Sequence, residues 1–244
     1  MRRVACAPAC RIGLSALAVA TGLLLDACRT QPRPGPQPAR PAQPGAVSPA
    51  PAAARHYVID SQRSQVLVLA YRDGPMAHLG HNHVIAVREL SGSVVLTDEP
   101  TQTSFTMDFP VESMSVDDPA LRASLGADFQ STVDEAAVAG TRDHMLGASL
   151  LNSKQYPTIH LQSRQIHNAA DGLHAVTGIV VRDTSSQADI PVSLQSSDDD
   201  LTASGEFDLT HSQLGLTPYS VALGALRVAE RMHVRYRLVG HRQP

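Results

Sequence analysis

The sequence predicts a mainly β fold, either a closed antiparallel barrel or a sandwich, with a short helical insertion. A leader and a Pro-rich linker precede it. Three observations carry this prediction. From residue 56 onward, apolar residues recur at every second position, the period of a strand with one buried face. One interval, 117–152, breaks that period and carries helix-capping chemistry instead. The first 55 residues show neither pattern.

The leader comes first in the chain. Arg2, Arg3 and Arg11 form a basic start, and Ile12 to Leu25 is an apolar run too short to span a bilayer comfortably. That combination is a secretory signal over residues 1–27. The run ends in Leu25-Asp26-Ala27-Cys28, which resembles the bacterial lipoprotein box and makes Cys28 the lipidated first residue of the mature chain. The resemblance to such lipoproteins also implies the outer membrane, since Arg29 stands where inner-membrane retention commonly uses Asp. Residues 28–55 then form a linker, with eight prolines from Pro32 to Pro51 and Val47 as the one larger apolar residue. Such a segment cannot bury enough surface to offset its ordering entropy. Extended, it reaches up to about 80 Å.

Composition narrows what residues 56–244 can be. All three cysteines, Cys6, Cys10 and Cys28, precede them, so neither a disulfide scaffold nor a Cys-based zinc site is expected there. Seven of the 20 basic residues but one of the 23 acidic ones lie before residue 56, which leaves the domain at a net charge of -9. An acidic domain is not a nucleic-acid binder. Aromatics are 4% of the chain and Trp is absent, so the core must come from Val, Leu, Ala and Met.

The strands follow in order: Gln65–Tyr71, His81–Arg88, Gly92–Thr97, Phe105–Val111, Thr158–Arg164, Leu173–Arg182, then one around Ile190–Leu194, one around Phe207–Leu209, and Leu226–Leu238. The last is the clearest, with Leu226, Val228, Met232, Val234, Tyr236 and Leu238 on one face and Arg227, Arg231, His233, Arg235 and Arg237 on the other. In the insertion, Asp118-Pro119 reads as an N-cap with proline at the first helical position, and Asp117 beside it as a further cap. Ser131 with Asp134 and Thr132 with Glu135 have capping-box spacing, Gly140 offers a stop, and Thr141 a second start running to Asn152. Two or three short helices of this kind suit a barrel end that needs a lid.

Tyr57-Val58-Ile59-Asp60 followed by Ser64-Gln65-Val66 resembles the opening strand of the YceI-like polyisoprenoid-binding family. So do Thr141-Arg142-Asp143-His144-Met145-Leu146 and Tyr156-Pro157-Thr158-Ile159 with Gln162-Ser163, which are similar to its central helix and the strand after it. Gly205-Glu206-Phe207, Leu214-Gly215-Leu216 and Gly224-Ala225-Leu226-Arg227-Val228 complete the pattern. The resemblance implies an antiparallel lipocalin-like eight-stranded barrel over 56–244 that holds a long apolar lipid such as a polyisoprenoid, for carriage or storage. An eight-stranded barrel is wide enough for one slender ligand if its inward side chains are modest. The inward set read from the alternation is Phe105, Met107, Phe109, Ile190, Val192, Phe207, Leu209, Met232, Val234 and Tyr236.

One constellation points elsewhere. His81 and His83 stand two apart on a strand and face one way, half of a zinc or copper site, with His78 or His144 as a third ligand. No carboxylate or Cys lies nearby at ligand spacing, so the bland alternative is a capped turn through Asn82. The competing function is thus a metal- or haem-linked periplasmic redox or stress protein. Enzymatic motifs are absent: there is no Gly-x-Ser-x-Gly elbow, no His-Glu-x-x-His and no phosphate-cradling glycine loop. The expectation is a non-enzymatic, cofactor-free envelope lipoprotein whose ligand is a lipid.

Overall fold

The protein is described by a computed structural model over residues 54–244. The leader, Cys28 and nearly all of the linker lie outside the described residues. In chain order the elements are β1 (Arg55–Ile59), β2 (Gln65–Asp73), β3 (His83–Val87), β4 (Ser91–Leu96), β5 (Ser104–Pro110) and β6 (Ser115–Val116). Helices α1 (Pro119–Ser124) and α2 (Glu135–Leu146) follow. Then come β7 (Thr158–Ala169), β8 (Gly172–Val181), β9 (Thr184–Ser196), β10 (Asp200–Thr210), β11 (Ser220–Val221) and β12 (Leu226–Arg242).

Every ladder is antiparallel. Eight strands form a ring in the order β1-β4-β5-β7-β8-β9-β10-β12, and β12 closes it by pairing back onto β1. β12 is long enough to do two things along that edge. Its residues 240–242 pair with β1, and residues 227–237 pair with β2. β3 then pairs with β2, and β6 with β3. The barrel wall is therefore sealed at the β1 end, while at the other end it finishes on the short β6 edge. Tyr57, Leu96 and Leu201, all buried, plug the sealed end.

The period of two works as elementary geometry requires, since inward positions carry Val, Leu, Ile, Met and Phe and outward ones carry charge. β2 and β3 are the exception, apolar on both faces. Leu67, Leu69, Val84 and Ala86 point outward, and Phe129 buries them with partial cover from Leu121 and Leu125 on and after α1. Helix α2 does the opposite job at the open end, sending Met145 and, partly buried, Val138 and Leu146 into the main core.

Two expectations for the insertion need correction. Gly140 does not stop a helix and Thr141 does not start one: α2 runs unbroken through both, capped by Asp134, which accepts from the Ala137 N–H at 2.7 Å. The cost of one interior glycine, about 1 kcal/mol, is smaller than the gain from docking the apolar face of α2. Asp118 is the α1 N-cap, accepting from Ala120 and Leu121, but Asp117 caps nothing. It adopts a φ of +53°, which turns its side chain back into the protein.

Candidate ligand chamber and the histidine mouth

Two cavities share part of the barrel wall. The inner chamber has a volume of about 200 Å³ and is lined almost wholly by apolar groups. The outer one, about 610 Å³, opens at the β6 end. Val68, Ile159, Leu209 and Val234 belong to the walls of both. Of the ten inward residues named from the alternation, Phe105, Met107, Phe109, Ile190, Val192, Phe207, Leu209, Val234 and Tyr236 line the inner chamber. Met232 lines the outer one. The lining from β7 and β8, including Leu161, Ala175 and Ile179, was not named, although the same alternation marks it.

Tyr236, with Thr103 and Thr177, brings a hydroxyl to the inner wall. Its hydroxyl donates to the Pro191 carbonyl at 2.7 Å, and burial pushes the phenol pKa up, so it stays neutral. Gly205 lies opposite Tyr236 in the β10–β12 ladder, and a Cβ there would collide with the Pro191 carbonyl and press on the phenol ring.

The outer chamber is more polar. His81, His83, His144 and His211 line it with Arg72 and Arg227. Most of these groups are already committed. Arg72 donates to the Gly80 carbonyl at 2.6 Å, and Arg227 pairs with Asp73 at 2.7 Å. His211 bonds the Glu230 carbonyl at 3.1 Å, and the His144 ring meets Tyr219 edge to face with centroids 4.3 Å apart. Exposed Met76, Leu79, Tyr219 and Leu223 lie on the loops around this opening. Those loops are tied together, Met76 N–H donating to the Ala225 carbonyl at 2.8 Å.

His81 and His83 do share a face, their rings edge to face with centroids 4.5 Å apart. The expectation that no carboxylate lies near them is overturned by Asp117. Brought in by the turn after β6, it accepts from His83 Nδ1 at 2.7 Å, from the Val84 N–H at 3.0 Å and from Arg122 at 2.6 Å. A carboxylate can only accept, so His83 Nδ1 carries the proton and, in the neutral ring, Nε2 is left as an acceptor. Arg122 is itself buried and also donates to the Asn82 carbonyl and to Ser131. Burial acts to raise the Asp117 pKa, but the bonds from His83, Val84 and Arg122 outweigh it and hold the carboxyl below its ordinary value. Burial, helped by neighbouring His83, lowers the His81 pKa and keeps that ring neutral. His81 Nε2 is sealed from solvent and has no hydrogen-bond partner.

His81, His83 and Asp117 could in principle hold a cation. The Arg122 guanidinium opposes it, because its charge already compensates the one carboxylate of the trio. Asp117 thus orients His83 rather than offering a free ligand. Neither His78 nor Arg142 belongs to this site. His78 sits in the turn Ala77–Leu79 and lines neither chamber. Arg142, inside α2 and not at a helix start, donates to the Glu112 carbonyl at 2.7 Å.

A YceI-like domain family model matches residues 57–239, three-quarters of the chain. The chain belongs to the YceI-like family. Members of that family bind polyisoprenoid lipids. Among solved structures, the chain is similar to Burkholderia cenocepacia BcnA, with 16% identity, a TM-score of 0.55, and 74% of this chain and 98% of that one covered. A Campylobacter jejuni YCEI protein matches at 9% identity and a TM-score of 0.45, covering 66% of this chain and 85% of that one. No curated protein sequence matches the chain. At 16% identity the BcnA structure speaks to the fold alone, and it fits the YceI-like barrel.

Proposed function

We propose that this YceI-like barrel is a non-enzymatic carrier or store for a long apolar lipid of the polyisoprenoid type, tethered through lipidated Cys28 to the periplasmic side of the outer membrane. One observation carries the proposal: an almost purely apolar inner chamber that shares wall residues with a more polar outer chamber. The tail lies in the first and the polar end in the second. The inner volume of about 200 Å³ is below the range of about 300–1,000 Å³ usual for small-molecule sites, so a long chain occupies both chambers. The mouth arginines are bonded within the protein, and His81 is neutral. A head group bearing a hydroxyl or carbonyl can be held at the mouth by hydrogen bonds.

Protein purified without detergent should yield a long-chain lipid on organic extraction. Val234→Trp, which thickens the wall shared by both chambers, should lower lipid occupancy while the circular dichroism spectrum stays that of the parent. An open interior tolerates added bulk that a filled core does not. No extractable lipid from the parent, together with unfolding of the variant, would show instead a barrel packed shut.

A further inference from the structure

A second cluster of histidines lies on the outside of the wall, far from the Arg122 network. β7 and β8 form a hairpin in which His167 stands directly opposite His174, with Asp171 in the two-residue turn. Asp189 on β9 pairs with Val176, one diagonal step from His174. Cross-strand neighbours at these positions are within reach of long side chains. All three project from the face opposite the chamber, since Ile166, Ala175 and Ile190 beside them line the inside.

We propose that His167, His174 and Asp189 form a binding site for a zinc-class divalent ion on the outer wall of the barrel. Distances support it first. Asp189 Oδ1 lies 3.1 Å from His167 Nε2, and Oδ2 lies 3.4 Å from His174 Nδ1. Tetrahedral zinc with bonds of about 2.0–2.2 Å spaces its ligand atoms about 3.3–3.5 Å apart. The three ligand atoms all fall within 4.8 Å of one another, and His167 is exposed enough to rotate the remaining gap closed. Orientation supports it next. His174 has both ring nitrogens sealed from solvent, and neither completes a directed hydrogen bond. Asp171 Oδ1 sits 3.0 Å from its Nε2, on the side away from Asp189. A carboxylate behind one imidazole nitrogen with the metal at the other is the usual way a protein fixes a histidine ligand. Charge supports it last. Asp189 faces the rings of His167 and His174, and among the described residues no Arg or Lys pairs with it, in contrast to Asp117. Two imidazoles and a carboxylate, with water completing the shell, suit zinc, nickel or copper rather than magnesium or calcium.

An ion held there ties three neighbouring strands together. The test uses the untagged full chain, stripped with a chelator and titrated with zinc chloride by calorimetry, with bound metal counted by elemental analysis. One equivalent is expected, raising the melting temperature and released on acidification, because a histidine ligand must be unprotonated to bind metal. Cobalt in place of zinc should give the strong visible absorption of a tetrahedral site. His174→Ala, the milder His167→Gln and Asp189→Asn should each weaken binding at least tenfold, with metal-free melting temperatures near the parent's. The double variant His81→Ala, His83→Ala should bind as the parent does. Absence of binding at tens of micromolar zinc, retention in both His174→Ala and His167→Gln, or loss in the His81 and His83 double variant would each overturn the assignment.

Discussion

Asp117 joins three parts of the molecule, for it holds a histidine of the mouth, the backbone of β3 and the buried Arg122 of α1. Removing it leaves Arg122 as an uncompensated buried charge. Asp117→Ala should therefore cost about 3–5 kcal/mol in urea unfolding. The pH dependence has a definite sign. The folded carboxyl titrates below its value in the unfolded chain, so its contribution is complete above about pH 4 and is lost as the pH falls through the lowered folded value. In a titration of stability from pH 5 to 2, Asp117→Ala should decline less steeply than the parent. Sequence pattern hid this residue for a physical reason. Asp117 and Asp118 are adjacent and read as twin helix caps, and only the left-handed backbone at Asp117 separates their roles. The pair His81 and His83 was legible, because two residues apart on a strand means one face. Their carboxylate was not, because it arrives from a different element.

At the scale of elements, the strands were easy to read and the helices less so. A strand with one wet face writes its alternation into the sequence, as Leu226–Leu238 shows. β2 does not alternate, because α1 and Phe129 cover its outer face. The continuous apolar run is the trace of that second layer. Helix α2 was misread at Gly140 because local propensity knows nothing of the core that Met145 reaches. The same position offers a simple check. Gly140 has an ordinary helical backbone, and a Cβ there would meet no atom within 4 Å. Gly140→Ala should stabilise the protein by about 0.5–1 kcal/mol through the entropy of the unfolded chain, read as a higher melting temperature with an unchanged spectrum.

For the whole molecule, the closed eight-stranded ring follows from family resemblance and geometry together, while the pair of strands that closes it was not legible. Nothing in the short segment Arg55–Ile59 announces that it will be shared between β4 and the far end of β12. Attachment to the membrane is tested at the same scale. Cys28→Ala should move the protein from the membrane fraction to the soluble fraction after a high-salt wash, since the linker has no apolar surface with which to hold on. Persistence of the variant in washed membranes would count against the lipid anchor. The closing ladder also sets a timetable. It joins Tyr57, Val58 and Ile59 to Arg242, His241 and Gly240, partners separated by almost the entire domain. Contacts so distant along the chain form late and slowly. A polypeptide made from its N-terminus onward must keep β1 waiting, unpaired on that edge, until the last residues have been delivered. Throughout that delay the future lining stands open along one side, and a guest molecule can be laid in laterally and wrapped instead of being threaded end first.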